Sequence, residues 1–290
     1  MAPRNKPAAT GTAVAEAPKQ EVVAAEHGTI PGIKKITDAA ALAELDGVVG
    51  AGVSDNVNDK GIPLLYTAQK GSPRIDKKKD KFIEGLEVGD LFNTLTGEFF
   101  KAEADGLEAL PCFYRVNYVE WLPEREGFVA SHPRDTDLLK TAKMFVHPET
   151  GKTRGDMFVL PNGNMLVETH NYFCVLPHNY TTIMIPMSGT NLGASRIWQS
   201  LMDAQKLELP TGFVVQPGFW SRYLLKTVYR DDGTYQWYQI RPSLLGDNDD
   251  PKLKAFCKAF ALACKKGDVE VSAPPAEGGG QQADDSDAPI

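Results

Sequence analysis

The sequence predicts a β-rich α+β fold: an antiparallel small barrel or curved sheet with two packing helices. Three observations lead there. Short runs of alternating apolar and polar residues recur along the chain between turn signals. Only two segments carry a long helical period. The composition, 42% hydrophobic and 24% charged, supplies enough apolar side chains for a sizeable core.

The N-terminal residues 1–59 read as a flexible or disordered arm. Their first half is Ala, Pro, Glu and Lys with few aromatics, which cannot bury enough surface to offset the entropy of ordering. Asp38–Leu45 is compatible with a short helix. The globular part is expected over 60–272 and a flexible acidic tail over 273–290.

Within the globular part, Gly71-Ser72-Pro73 marks a turn, and the charged run Asp76–Lys81 reads as a solvated loop. Asp90–Thr94 and Glu98–Lys101 flank Leu95-Thr96-Gly97 as a hairpin. Leu107–Leu122 is the strongest strand. Strict alternation puts Leu110, Cys112, Tyr114, Val116 and Tyr118 on one face and Phe113, Arg115, Asn117, Val119 and Trp121 on the other. The polar stretch 123–156, broken by His132-Pro133, His147-Pro148 and Gly151, is expected to be a long loop insertion. Pro161-Asn162-Gly163-Asn164 joins two strands as a hairpin turn, and Tyr172–Leu176 and Thr181–Met187 follow as strands.

The first helix is expected near 191–206, with Ala194, Ile197, Trp198, Leu201 and Met202 inward. The second, near 251–266, has boundary signals at both ends: Asp249 and Asp250 before Pro251, and Gly267 after. Its predicted inner stripe is Leu253, Phe256, Phe260 and Cys264, with its lysines in water. Between the helices, Phe219–Arg230 and Thr234–Arg241 form a hairpin around Asp231-Asp232-Gly233. The five-stranded oligonucleotide-binding barrel (OB-fold) is one architecture that accommodates such a set of elements.

The net charge of −7 is unevenly spread. Residues 1–59 hold five basic and eight acidic side chains, and 273–290 hold four acidic and no basic ones. The middle of the chain is therefore balanced, with 26 of each. An acidic total does not argue against a nucleic-acid ligand when the acid sits in the tails.

The 219–241 hairpin carries the functional reading. A two-residue turn at Asp232-Gly233 sets Asp231 opposite Thr234. Trp220, Arg222, Lys226 and Arg230 then share a face with Tyr235, Trp237 and Arg241, while Tyr223, Leu225 and Ile240 point to the core. Phe113, Arg115 and Trp121 repeat the mixture of rings and cations. Unpaired bases stack on aromatic rings, and cations follow the phosphate backbone. Single-stranded DNA is the ligand this combination suits.

The tail is the second element. After the linker Ala273–Ala283 come Asp284, Asp285, Ser286, Asp287, Ala288, Pro289 and Ile290. This ending resembles single-stranded DNA-binding proteins of bacteria and tailed phages, with Ile where the bacterial tail has an aromatic. The resemblance implies that Asp284, Asp285, Asp287, Pro289 and Ile290 dock replication or recombination proteins and compete with DNA. The blocks Ile62–Pro73, Phe82–Phe100 and Pro111–Pro123 also resemble a family of tailed-phage proteins, which implies action in the host bacterial cytoplasm.

No enzyme signature accompanies these features. There is no GxxxxGK[ST] and no GxSxG. Glu168 and His170 point the same way from a strand and His178 follows a hairpin, but no HExxH or paired-Cys spacing goes with them, so neither metal nor cofactor is expected. Asp135, Asp137 and Lys140 read as solvated. The four cysteines read as reduced, buried thiols; Cys257 and Cys264, two helical turns apart, are too distant for a disulfide. No span of ~18 apolar residues suggests a membrane segment. A homo-oligomer is compatible with the sequence. A virion structural or decoration protein, or a regulator of a host enzyme, are the competing classes.

Overall fold

The computed structural model describes residues 38–45 and 61–271, except 126, 149, 150, 234 and 270. Helix α1 (Ala39–Glu44) falls inside the predicted Asp38–Leu45. The remainder of the predicted arm, and the whole acidic tail with Asp284, Asp285, Asp287, Pro289 and Ile290, lie outside the described residues.

A small antiparallel sheet comes first: β1 (Leu65–Thr67), β2 (Leu91–Asn93) and β3 (Phe99–Phe100), in that order. The β2–β3 turn is where the sequence placed it. The Asn93 carboxamide oxygen tightens it by accepting from the Leu95 and Thr96 amides at 2.9 and 3.1 Å. Asp76–Asp80 of the charged run are exposed.

The main sheet is β-rich and antiparallel, curled into an open half-barrel with two packing helices; the curved-sheet alternative, not the closed barrel, is realised. Its strands are β4 (Leu107–Trp121), β5 (Phe128–Pro133), β6 (Lys143–Val146), β7 (Thr153–Val159), β8 (Met165–Leu176) and β9 (Thr181–Ser188). After helix α2 (Asn191–Asp203) a separate hairpin, β10 (Lys206–Leu209) with β11 (Gly212–Val215), intervenes before β12 (Ser221–Asp231), β13 (Gln236–Asp247) and helix α3 (Pro251–Lys266). The order is β13-β12-β4-β8-β7-β6, with β5 also on β4 and β9 also on β8. Bulges at Arg222/Tyr223, Pro111/Phe113, Glu120/Trp121 and Met144/Phe145 add local bend and twist to this sheet.

Several expectations need correcting. The stretch 123–156 is not a loop insertion but holds β5, β6 and the start of β7. Its strands are polar because one side of each is wet: β5 alternates half-buried and exposed, and β6 is an edge. The hairpin loop between β12 and β13 has four residues, so Asp231 pairs with Gln236 instead of Thr234. The register moves by two, which preserves the faces; a shift of one would have exchanged them. The Pro111/Phe113 bulge does exchange faces along β4. Leu110 pairs with Val175 and Phe113 with Phe173, so Cys112 is the extra residue and Phe113 returns to the face of Leu110. In the helices, Ile197 and Phe256 are exposed at 55% and 39%, while Cys257 takes the buried place expected of Phe256.

Tyr172 and Phe173, neighbours on β8, point to opposite faces of the sheet. Helix α2 covers the first: Trp198 stacks on Tyr172 with centroids 4.3 Å apart, and Tyr223 meets Trp198 edge-on at 5.9 Å. Helix α3 covers the second. Leu253 and Cys257 pack with Leu110, Val175 and Phe219, and Cys264 packs with Phe173, Leu64 and Met184. Each helix thus buries one side of the strands that carry the predicted site.

Candidate nucleic-acid interface

The predicted residues separate into four places. On the β12–β13 hairpin, Arg222, Lys226, Arg230, Trp237 and Arg241 share the face away from Tyr223 and Ile240, with Arg230 opposite Trp237 and Lys226 opposite Arg241. Much of that cationic charge is already engaged. Arg222 grips Glu108 in a two-bond pair, Nε to Oε1 at 2.7 Å and Nη2 to Oε2 at 3.2 Å. Lys226 donates to the Ala104 carbonyl at 2.7 Å, and Arg230 Nε to the Gln239 side chain at 3.2 Å. Arg241 is exposed. The Trp237 indole N–H is buried with no protein acceptor. Tyr235 sits in the turn, where its amide donates to Asp232 at 2.6 Å.

The second place is β4. Phe113 packs beneath α3 against Phe173 at 5.7 Å. Arg115 keeps an exposed position with its guanidinium 5.1 Å over the Phe173 ring, beside Cys264. Burial lowers the Arg115 pKa from its ordinary value, yet an arginine remains a cation at any physiological pH. Trp121 belongs to a third place at the far end of β4, packed with Phe128 at 6.1 Å and with Met157, Met165 and Val167.

Trp220 stands apart from β12 in a short 3-10 turn, Gly218–Trp220. Buried Asn248 pins that turn: its amide donates to the Trp220 carbonyl at 2.7 Å and its side chain to the Phe219 carbonyl at 3.0 Å. Trp220 is 36% exposed, and Lys254 of α3 lies over its ring at 5.1 Å. This arrangement joins a predicted stacking residue to a surface that sequence reasoning had assigned only to solvent.

That surface is the outer side of α3. Asp250 caps the helix by accepting from the Lys252 and Leu253 amides at 2.8 and 3.1 Å, and Gly267 ends it in the left-handed region at φ 82°. Between these ends the helix carries Lys252, Lys254, Lys258, Lys265 and Lys266 and no acidic residue. Lys258, Lys265 and Lys266 are exposed, and among the described residues they form no ion pair. Phe256 and Leu262 are exposed among them at 39% and 50%. Arg115 lies by one end of the helix and Trp220 by the other. The available signal in the sequence was the run of five lysines without a single Asp or Glu.

A polar network lies on the α2 side. Glu168 Oε1 is 3.0 Å from His170 Nε2, and His170 Nδ1 is 2.6 Å from Ser195 Oγ and 3.0 Å from the Tyr114 hydroxyl. Tyr172 adds its own hydroxyl to Ser195 Oγ at 2.7 Å, and Gln199 donates to Tyr172 at 3.1 Å. The His170 hydrogen bond lowers the Glu168 pKa against the opposing effect of burial. Burial raises that of Tyr172 well above the ordinary phenol value. The order acid–imidazole–serine resembles a nucleophile relay. Ser195 is 0% exposed, however, and a nucleophile needs a path to its substrate. The network clasps α2 to β8. His178 lies apart from this network and faces Glu98 at 3.7 Å.

Among the described residues no helix is long and apolar enough to cross a membrane. A family model described as Pam3 phage gp34-like protein matches residues 34–270. No curated protein and no solved structure matches the chain.

Proposed function

The chain belongs to the Pam3 phage gp34-like family, and on that premise we propose that it binds single-stranded DNA without sequence preference during phage replication or recombination. The observation that carries this reading is the outer face of α3, which carries five lysines and no acidic residue, with Lys254 laid over the half-exposed Trp220. Lysines on a helix that itself carries no acidic residue attract a phosphate backbone, and a ring at their edge offers a base a stacking platform. Trp220 and Arg115 join this face from the residues that the sequence singles out; Arg241 stays on the β12–β13 hairpin opposite Lys226, and Arg222 contributes less, because Glu108 already neutralises it.

The protein acts in the host bacterial cytoplasm and catalyses no reaction. Its acidic tail recruits replication or recombination proteins and loosens its own grip on DNA, and self-association is compatible with this role. Titration with oligo-dT, followed by tryptophan fluorescence at several salt concentrations, tests the reading. Binding that quenches fluorescence and weakens as salt rises is the expected result. Absence of binding, or affinity indifferent to salt, overturns it and returns the virion-structural and host-regulatory classes to first place.

A further inference from the structure

Three of the four cysteines gather under α3. Cys112 lies on β4 and Cys257 and Cys264 on the inner side of the helix, while Cys174 on β8 shares the opposite face with Tyr172. Cys257 belongs to the buried cluster of Leu110, Val175, Phe219 and Leu253, and Cys112 packs against that same cluster. The Cys112 thiol donates to the Leu110 carbonyl at 3.4 Å.

The placement of Cys112 is unusual. It is the extra residue of the Pro111/Phe113 bulge, unpaired on β8, where Pro111 faces Cys174 and Phe113 faces Phe173. A bulge re-aims the side chain it carries, and here it turns a thiol toward α3. Cys112 also keeps partial exposure, whereas Cys257 has none. Of the two residues, Cys112 is therefore the nearer to solvent.

We infer that Cys112 and Cys257 form a reversible disulfide, a modification site at which a small-molecule disulfide or peroxide oxidant couples β4 to α3. With a disulfide oxidant the steps balance. Cys112, having lost its proton, attacks one sulfur of the oxidant, whose other half leaves as a thiolate. The sulfur of Cys257, after losing its proton, attacks Cys112 and expels the second thiolate. Two protein thiols become one disulfide, the oxidant becomes two thiols, and the two protons pass to the leaving groups. Burial raises the Cys112 pKa well above its ordinary value; because the thiolate is the nucleophile, the first attack is the slow step and quickens as pH rises. Cys174 and Cys264 lack the exposure that begins the sequence.

The test uses the full chain incubated with glutathione disulfide, quenched in acid, alkylated under denaturing conditions and digested with trypsin. The expected product is the peptide Ala102–Arg115 joined to Ala255–Lys258, two hydrogens lighter than their sum, reversed by dithiothreitol. Two free thiols remain per chain where there were four. The Cys174→Ser variant gives the same product, and Cys257→Ser gives only a glutathione adduct at Cys112. A Cys257–Cys264 link, four free thiols after prolonged oxidation, or a stable glutathione adduct at Cys112 in the unmodified sequence would each overturn the assignment. These readouts do not depend on DNA, so they stand or fall apart from the binding proposal.

Discussion

The side chain of Gln69 behaves toward Tyr238 as one more strand would. Its amide nitrogen donates to the Tyr238 carbonyl at 2.8 Å, and its oxygen accepts from the Tyr238 amide at 2.9 Å. Two residues further along, the buried Asn191 side chain accepts from the Ile240 amide at 2.9 Å, and Pro242 then offers no amide at all. The outer edge of β13 is thereby closed to a further strand, a common defence against edge-to-edge pairing.

Replacing Gln69 with alanine leaves both backbone groups of Tyr238 without partners. A destabilisation of about 1–3 kcal/mol is expected, since an abandoned buried donor or acceptor costs roughly that much. Urea unfolding measures it. An accompanying growth of oligomers by light scattering would show the edge reopening; an unchanged midpoint would remove Gln69 from this role.

Gly89 is expected to resist substitution. Its φ is +96°, and a Cβ there would lie 2.6 Å from Tyr238 Cε1. Its carbonyl also accepts from the buried Thr227 hydroxyl at 2.6 Å. Gly89→Ala combines left-handed strain with a clash against the Tyr238 ring, for a loss of about 2 kcal/mol or more. Thermal unfolding of that variant beside Gly151→Ala, where a Cβ meets nothing within 4 Å, separates strain from crowding.

Acid is expected to loosen α2. The Glu168 pKa is lowered from its ordinary 4.5, first by the His170 hydrogen bond and against burial. Its folded value lies below its unfolded one, so its contribution is complete above about pH 4.5 and fades as pH falls through the folded value. Glu168→Gln should therefore flatten the acid side of the stability–pH curve and leave less stability at neutral pH. Identical curves for the two proteins would contradict this.

DNA affinity is expected to follow α3 more than the hairpin. Changing Lys254, Lys258 and Lys265 to alanine should reduce the salt dependence by roughly 0.7 in log–log slope for each phosphate that is no longer neutralised. Trp220→Ala should cost about 1–3 kcal/mol of binding, the worth of a stacked base. Arg222→Ala should change affinity little, because that guanidinium is already paired with Glu108. If Arg222 proved the more sensitive position, the interface would belong on the β12–β13 hairpin after all.

Both long helices, the β2–β3 and β7–β8 turns and the two faces of β12 could be read from the residues in order, because periodicity, caps and turn residues act over a few neighbours. Asp250, Pro251 and Gly267 bound α3 within the sequence itself. What the tertiary structure alone decided was relational. The bulge at Cys112 exists only against β8, and it reverses which side of β4 carries Phe113. The strands between 123 and 156 were hidden because polar edge strands have little apolar alternation to display. The candidate DNA face likewise depended on distant pairings: Glu108 removes Arg222 from it, and Lys254 brings Trp220 into it. Local patterns choose the elements and the faces they can present. Hydrogen bonds and ion pairs between residues far apart in sequence choose which of those faces remain available for a ligand.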